Sequence, residues 1–378
     1  MTSADIKRLS KEYAAGEPTE GRLARALQVD VPVWRELGNE ILADLDEHVF
    51  GVRWWAPHPG TSRRILISDH LFSCVRSVES NLLEARLHLI EAMDLWERES
   101  DFHARAVSVT ADRRINIQLP ERRCPLDELR PAMSMLHTVG FIRAIAGALD
   151  CFGASVVGVA ALKTSLLRAD LDSARRALAQ VTGASAGDRV QSDFRAQLEA
   201  LVEGVGPPGW FRWAVDLRNT LIHRGRRLQM SELRPIPSRL VHPDGRPVIR
   251  TDVIHQLPRD PRRSDVEMFL DAANPPVLTE TAATTLVGVL QSTLRLTREG
   301  GVLLLNLWRT RRAAPALLFQ PREQWPDGAS SATAGFHGYA PDSVPYNSTE
   351  LRSDEVLIRR MTAASLGDAE RAAWAQFD

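Results

Sequence analysis

Apolar residues recur at helical spacing along most of the chain. Between residues 69 and 101 they are Leu82, Leu83, Leu87, Leu89, Ile90, Met93 and Leu95, a pattern that predicts an amphipathic helix. Residues 126–180 read as helical again, and the run FIRAIAGALDCFGASVVGVAAL within them is apolar on nearly all sides. A helix of that kind belongs in the middle of a bundle. Further helices are predicted at Gly21–Leu27, Val33–His48, Trp210–His223 and Thr279–Arg312.

Two short segments alternate between apolar and polar residues instead. Residues 105–120 alternate around Ala111-Asp112-Arg113, and residues 239–250 turn at Pro243-Asp244-Gly245, so each predicts a β-hairpin. Residues 313–350 are rich in Pro, Gly, Ser and Ala and predict an irregular arm, followed by a short helix at Ser353–Phe377. The predicted fold class is therefore mainly α, a helical bundle with two small β-hairpin insertions and an irregular C-terminal arm.

The domain organisation follows from these elements. Residues 1–68 are predicted to form a helical or irregular N-terminal region, and residues 69–312 to form the bundle, with hairpins near 105–120 and 239–250. Residues 313–378 make up the arm and its short helix. The glycine-rich loop at 204–209 has no Lys followed by Ser or Thr, so it is not a nucleotide-binding P-loop.

The composition of the chain limits which partners and which cellular location can be expected. The 47 basic and 48 acidic residues leave a net charge of −1, which excludes a polycation but not a local basic patch. All but three of the cations are arginines, whose planar guanidinium suits phosphate. Three scattered cysteines and a polar N-terminus predict a reducing, cytoplasmic location. The most apolar stretch, Cys151–Leu162, is shorter than the about 20 residues of a membrane span.

The predicted helix Trp210–His223 has a narrow polar stripe. Arg212, Asp216, Asn219 and His223 fall within about 60° of one another on a helical wheel. Two apolar stripes flank them, Trp210, Ala214, Leu217 and Leu221 on one side and Phe211, Val215 and Ile222 on the other. A helix packed on two sides leaves its polar stripe to line a cleft or a subunit interface, which makes Asp216 and Arg212 candidate supporting residues. Arg218 lies about 140° from His223, beside the second apolar stripe.

The end of this helix resembles a known family. Arg218-Asn219-Thr220-Leu221-Ile222-His223, followed by Arg224 and Gly225, is similar to the catalytic signature of HEPN-domain ribonucleases, in which arginine, often followed by asparagine, precedes histidine by four to six residues. The resemblance covers about residues 70–230 and can be extended to 280–312. It implies a compact HEPN-like helical bundle.

The resemblance also implies an activity. HEPN ribonucleases let the RNA 2′-hydroxyl attack the adjacent phosphate without a metal or cofactor, leaving a cyclic phosphate and a 5′-hydroxyl. His223 would exchange the proton, Arg218 would hold the phosphate oxygens, and Asn219 would orient the imidazole or bind the phosphate. The family's enzymes are generally homodimers with a composite active site, and they act as toxins or antiviral effectors that cleave tRNA or other cellular RNA. An antitoxin or sensor protein is then a possible partner, and a membrane is not expected.

One departure from the family concerns regulation. In the toxin branch neutralised by a nucleotidyltransferase, a tyrosine lies two residues after the histidine, and here that position is Gly225. Control by tyrosine modification at this site is therefore not expected. A non-catalytic HEPN-like module that binds RNA, a nucleotide or a partner protein is the second hypothesis, and a helical scaffold is the third.

Other polar residues are candidates for supporting roles. Asp150 lies in an apolar run and must be paired or protonated, so it could bond Arg143 or approach Arg218. Glu84, His88 and Glu91 share a helix face and could form half of a metal site, but no second matching helix is found. The arginines expected to extend the positive potential toward RNA are Arg224, Arg226 and Arg227, with Arg259, Arg262, Arg263, Arg309, Arg311 and Arg312 as further candidates.

Overall fold

The computed structural model describes residues 31–44, 61–109, 115–117, 125–223, 230–241, 247–271, 275–318 and 338–339. The helices are α1 (Pro32–Asp44), α2 (Thr61–Ala106), α3 (Pro125–Val159), α4 (Leu171–Ala179), α5 (Ala186–Gly204), α6 (Trp210–His223), α7 (Asp265–Leu270) and α8 (Ala282–Ala313). The strands are β1 (Val107–Val109), β2 (Ile115–Ile117), β3 (Met230–Val241) and β4 (Pro247–Gln256). A short 3-10 turn covers Leu166–Arg168. The protein is mainly helical, as predicted.

Helix α2 buries a stripe that alternates steps of three and four residues. The buried members are Leu71, Val75, Val78, Leu82, Ala85, Leu89, Ala92 and Trp96. That spacing keeps one face of a long helix against its neighbours for many turns. Leu83, Leu87, Ile90 and Met93, which the sequence grouped with Leu82 and Leu89, are only half-buried because they lie to either side of this stripe.

Helix α3 carries the most apolar segment. Every residue from Phe152 to Leu162 is buried, including Ser155, whose hydroxyl donates to the Cys151 carbonyl oxygen at 2.8 Å. The predicted burial on all sides is confirmed for residues 152–162, whereas Arg143 near the start of the run is exposed. The segment Leu129–Val159 is long and apolar enough to cross a membrane, and 72% of its most apolar window is buried inside the protein. Core helices of globular bundles have the same character.

The two predicted hairpins form, but they are not separate insertions. β1 pairs with β2, and β3 pairs with β4, both antiparallel. The bridge Val109↔Ile249 then joins β1 to β4, giving one four-stranded sheet of order β2-β1-β4-β3. The second hairpin is also longer than predicted, since β3 begins at Met230 rather than at residue 239. Sheet formation supplies partners for backbone groups that two isolated hairpins would leave unpaired.

The chain divides into two compact units, each made of several segments. Unit 1 contains the described parts of Met1–Pro32, Ser77–Leu149 and Gln197–Gly300, and unit 2 those of Val33–Arg76, Asp150–Ala196 and Gly301–Asp378. The expected domain boundaries at 68 and 312 both fall inside helices, α2 and α8.

In unit 2, an aromatic contact and a glycine determine how closely the helices pack. Trp34 of α1 meets Phe152 of α3 edge to face, with ring centroids 5.7 Å apart. Gly153 lies directly over the start of α4, where a Cβ would approach the Asp170 carbonyl carbon to 2.3 Å. A side chain at residue 153 would therefore push α4 away from α3. Asp170 caps that helix by accepting from the Ser173 backbone N–H at 2.6 Å.

Several sequence predictions need correction. The helical stretch expected over 126–180 is broken, because α3 ends at Val159 and α4 begins at Leu171, with Ala161 in the left-handed region between them at φ 50°. Helices α5 and α7 were not predicted. The predicted helices Gly21–Leu27 and Ser353–Phe377 lie outside the described residues, as does most of the 313–350 arm.

Candidate functional site

Helix α6 in unit 1 begins and ends where the sequence predicts. It follows Gly209, whose φ of 82° suits only glycine, and the Trp213 N–H donates to the Gly209 carbonyl oxygen at 2.9 Å. Trp210, Ala214 and Leu217 are buried on one side, and the Trp210 indole N–H donates to the Val202 carbonyl oxygen of α5 at 3.0 Å. These contacts hold the helix against the rest of unit 1.

A second side of α6 packs against the segment that follows β4, residues 257–263, called here the rim segment. Trp213 Nε1 donates to the Pro258 carbonyl oxygen at 3.0 Å, and Thr220 Oγ1 donates to the Pro261 carbonyl oxygen at 2.7 Å. Thr220 is buried. The helix is thus packed on two sides, but the rim segment covers Trp213 and Thr220 rather than the predicted second stripe, of which Phe211 is buried and Val215 half-buried.

Asp216 is the residue of α6 through which two arginines are held together. Its side chain is only 9% exposed and lies between two guanidinium groups, with Oδ2 3.2 Å from Arg212 Nε and 3.4 Å from Arg262 Nε. Both arginine side chains are 63% exposed. Arg262 Nε also lies 3.5 Å from Asp260 Oδ1. Two guanidinium groups and two carboxylates therefore meet at this point of the helix.

The family-like motif lies toward the end of α6. Arg218 Nη1 donates to Asn219 Oδ1 at 3.1 Å, and both side chains are half-buried. The backbone of His223 forms the last residue of the helix, one turn after Asn219. The side chain of His223 lies outside the described part of the chain, and so do Arg224, Arg226 and Arg227.

A cavity of about 460 Å³ opens beside α6. Arg212, Trp213 and Asp216 line it from the helix, and the rim segment contributes Arg259, Asp260, Pro261, Arg262 and Arg263. Gly209, Pro275 and Pro276 complete the lining. Two of the predicted site residues, Arg212 and Asp216, thus share a concave surface with the predicted cluster of rim arginines.

Backbone hydrogen bonds hold the walls of this cavity in place. The Arg259 N–H donates to the Pro276 carbonyl oxygen at 3.1 Å, and the Leu278 N–H donates to that of Leu257 at 2.9 Å. A β-bridge joins Pro258 to Val277. Arg263 Nη1 donates to Asp271 at 2.7 Å, and this hydrogen bond is the main reason that the pKa of Arg263 is raised.

The remaining predicted arginines have structural partners instead. In unit 2, Arg309 contacts Glu36 and Glu40, and Arg312 contacts Glu40 and Asp44. Arg311 is 1% exposed and donates to the carbonyl oxygens of Gly158, Val159 and Leu318. Arg311 is therefore too deeply buried to face RNA, whereas an RNA-facing role of Arg309 and Arg312 stays a prediction.

Asp150 also lies in unit 2. It is half-buried next to Cys151. A hydrogen bond with Cys74 lowers the pKa of the Cys151 thiol, against the opposing effects of burial and of the charge of Asp150. Arg143 is exposed, and the predicted contacts of Asp150 with Arg143 or Arg218 stay predictions. Asp150 does not line the cavity beside α6.

Two histidine contacts of unit 1 were missed by sequence reasoning. His255 of β4 is buried, stacks on Trp96 with centroids 5.5 Å apart, and lies 3.3 Å from Glu99. His88 Nδ1 lies 3.1 Å from His137 Nδ1. Only long-range packing creates these pairs, so a single sequence carries no signal for them.

His88, one of the three residues considered as half of a metal site, contacts another histidine in the structure. His88 lies 3.7 Å from Glu84, but its ring faces His137 rather than a second carboxylate helix. Burial, followed by the charge of His88, lowers the pKa of His137, against an opposing effect of Glu91. No group of three or more His, Cys, Asp or Glu side chains able to hold a metal ion occurs in the described part of the chain.

No protein-family model, no curated protein and no solved structure matches this chain.

Proposed function

We propose that the protein is a metal-independent endoribonuclease of the HEPN type. The observation that carries this proposal is the placement of the Arg218-Asn219 pair, joined at 3.1 Å, one turn before His223 on a helix packed on two sides. Packing on two sides fixes the direction in which the motif's helix presents its polar residues. The resemblance of the motif to HEPN ribonucleases supplies the chemistry.

The reaction needs a general base, a general acid and a cation that stabilises the negative charge of the transition state. Neutral His223 takes the proton of the RNA 2′-hydroxyl, whose oxygen then forms the new bond to phosphorus. The bond from phosphorus to the 5′-oxygen breaks, and that oxygen takes a proton from an imidazolium. Arg218 stabilises the charge that builds on the non-bridging oxygens. Asn219 keeps the guanidinium in place by accepting its hydrogen bond.

A homodimer makes this chemistry easier. One imidazole cannot be both neutral base and charged acid at the same moment, whereas two copies of the chain supply both forms. The about 140° between Arg218 and His223 on the helix also lets the two residues serve different halves of a twofold site. We therefore propose that the active site is composite and contains α6 from both copies.

The experiment that tests the activity uses purified full-length protein and cellular RNA in the presence of EDTA. Wild type is expected to cleave RNA and to leave cyclic phosphate ends, while His223→Ala and Arg218→Ala lose about 10²–10⁴-fold in rate. The matched control is Arg298→Ala, which removes an exposed arginine of α8 in the same unit and should retain full activity. Circular dichroism of each variant confirms that it is folded.

Intact RNA after incubation with wild type would contradict the nuclease proposal. RNA that is bound but never cleaved would favour the non-catalytic module instead. Mixing His223→Ala with Arg218→Ala tests the composite site, because a mixed dimer regains one complete set of residues. Absence of any recovery in a mixture shown to exchange subunits would limit the site to a single chain.

A further inference from the structure

The cavity beside α6 has an excess of positive charge. Four arginines and two aspartates, Asp216 and Asp260, line it. These aspartates and Asp271 beyond the lining pair with Arg212, Arg262 and Arg263, which leaves an excess of one positive charge. Arg259 differs from them, because its guanidinium makes no hydrogen bond or ion pair with any residue that the structure describes.

The position of Arg259 is nevertheless well defined. Its backbone N–H is bound to the Pro276 carbonyl oxygen, and the neighbouring Pro258 is held both by Val277 and by the Trp213 indole. The side chain is exposed and starts from a fixed point on the cavity wall. The backbone therefore fixes where this cation starts, while its side chain can adjust to an anion at the cost of its own rotamer freedom.

The rest of the lining suits a nucleotide rather than a bare ion. The volume of about 460 Å³ lies within the range typical of small-molecule sites. Trp213 is half-buried, so part of its ring is available to a base, and Pro261, Pro275 and Pro276 add rigid apolar surface. Arginine forks match the oxygens of a phosphate group.

We propose that this cavity is a binding site for the phosphate group of a nucleotide, with Arg259 as its main ligand and Arg212 and Arg262 as flanking cations. The phosphate can come from a free nucleotide or from a single-stranded RNA. Along the axis of α6, Asp216 and His223 are about 10 Å apart. A strand of RNA held at the cavity could therefore extend toward the end of the helix. The binding itself does not depend on cleavage.

Calorimetric titration of the full-length protein tests the proposal. The ligands are inorganic phosphate, adenosine 5′-monophosphate and a 2′-O-methyl trinucleotide, which cannot undergo 2′-hydroxyl attack. Adenosine without phosphate is the negative ligand. We expect Arg259→Ala to weaken binding of the phosphate ligands by about tenfold or more. Arg259→Lys should recover part of the loss, because it restores the charge but not the fork.

The matched control is Arg298→Ala, which makes the same change in net charge away from the cavity. It should bind within about twofold of wild type, since only long-range charge is altered. Stronger binding of the monophosphate identifies a free nucleotide as the source, and stronger binding of the trinucleotide identifies RNA. Either ranking supports the site. No binding of any phosphate ligand, equal binding by Arg259→Ala, or equal binding of adenosine would overturn it.

The outcome separates this proposal from the nuclease. If wild type fails to cleave RNA but binds phosphate through Arg259, the result supports the phosphate site and contradicts the ribonuclease proposal. If RNA is cleaved through His223 while Arg259→Ala leaves all phosphate binding unchanged, the result supports the ribonuclease and contradicts the phosphate site.

Discussion

Two sets of arginines in this protein have different surroundings. In unit 1, Arg212, Arg259 and Arg262 line a cavity and remain exposed. In unit 2, Arg309 and Arg312 lie against carboxylates of α1, and Arg311 is sealed among backbone carbonyls. In the sequence, Arg259 and Arg262 belong to one basic cluster and the three arginines of unit 2 to another, whereas Arg212 belongs to the polar stripe of α6. Carboxylates of the fold take up charge in both sets, but Arg259 makes no ion pair with a described residue. We therefore expect a basic cluster to bind anions only where such a charge is left over.

The difference has a local cause. Glu36, Glu40 and Asp44 recur at every fourth residue of α1, which places three carboxylates in a row on one face. Arg309 and Arg312 of α8 contact that row. The rim segment has three arginines, and three carboxylates lie against them or against Arg212: Asp260, Asp216 and Asp271. With Arg212 of α6, four cations thus meet three carboxylates, which leaves one positive charge in excess.

Removing Arg311 is expected to have the largest effect. Arg311→Ala leaves the carbonyl oxygens of Gly158, Val159 and Leu318 without these donors and opens a void, so we expect a loss of about 3–5 kcal/mol in the free energy of unfolding. Burial lowers the pKa of the guanidinium to about 9, and it still donates as a cation at neutral pH. Chemical denaturation measures the loss.

Arg259→Ala is the matched change in unit 1. Its exposed side chain should contribute less than about 0.5 kcal/mol to stability, as for surface positions in general. Arg311→Met keeps much of the volume and isolates the part due to the hydrogen bonds. A similar stability for Arg311→Ala and Arg259→Ala would break the distinction between the two sets.

A smaller effect is expected from Asp216→Asn. This change keeps the shape of the side chain and removes one negative charge from between Arg212 and Arg262. Anion binding in the cavity should tighten by about three- to tenfold, with a steeper dependence on salt, because the net charge around the cavity becomes more positive by one. Titration with adenosine 5′-monophosphate at two ionic strengths measures both. Weaker binding would mean that Asp216 is needed to orient these arginines.

The smallest effect concerns acid stability in unit 2. The hydrogen bond from Arg309 is the main reason that the pKa of Glu40 lies below its ordinary value, with burial acting in the opposite direction. A depressed carboxyl pKa stabilises the fold above its unfolded value near 4.5 and is lost as the pH falls through the folded value. Glu40→Gln should therefore cost about 1 kcal/mol at neutral pH and less at acidic pH.

Thermal unfolding across pH 3–7 checks this expectation (about the range in which carboxyl groups titrate). Glu203→Gln, an exposed change in α5, is the control. An identical pH dependence for wild type and Glu40→Gln would show that the row of carboxylates on α1 does not hold the arginines of α8.

Local patterns predicted much of the architecture. The bounds of α6 follow from Gly209 before it and from the packing of its two apolar stripes, and the predicted helix Thr279–Arg312 differs from α8 by a few residues at its start. The buried stripe of α2 was harder to predict from the sequence, because Ala85 and Ala92 contribute to it while larger residues beside them do not. An alanine is buried by the closeness of a neighbouring helix, which hydrophobicity alone does not reveal.

By itself, the sequence determined the helical class, the two hairpins, the ends of α6 and the polar stripe that carries Arg212, Asp216 and Asn219. These depend on periodicity and turn residues, which act over a few positions of the chain. Only the tertiary structure decided that the hairpins share one sheet, that Arg262 meets Asp216, and that Arg311 is buried. Those outcomes depend on contacts between residues far apart in the chain, and a single sequence holds no record of which distant partner will neutralise a charge.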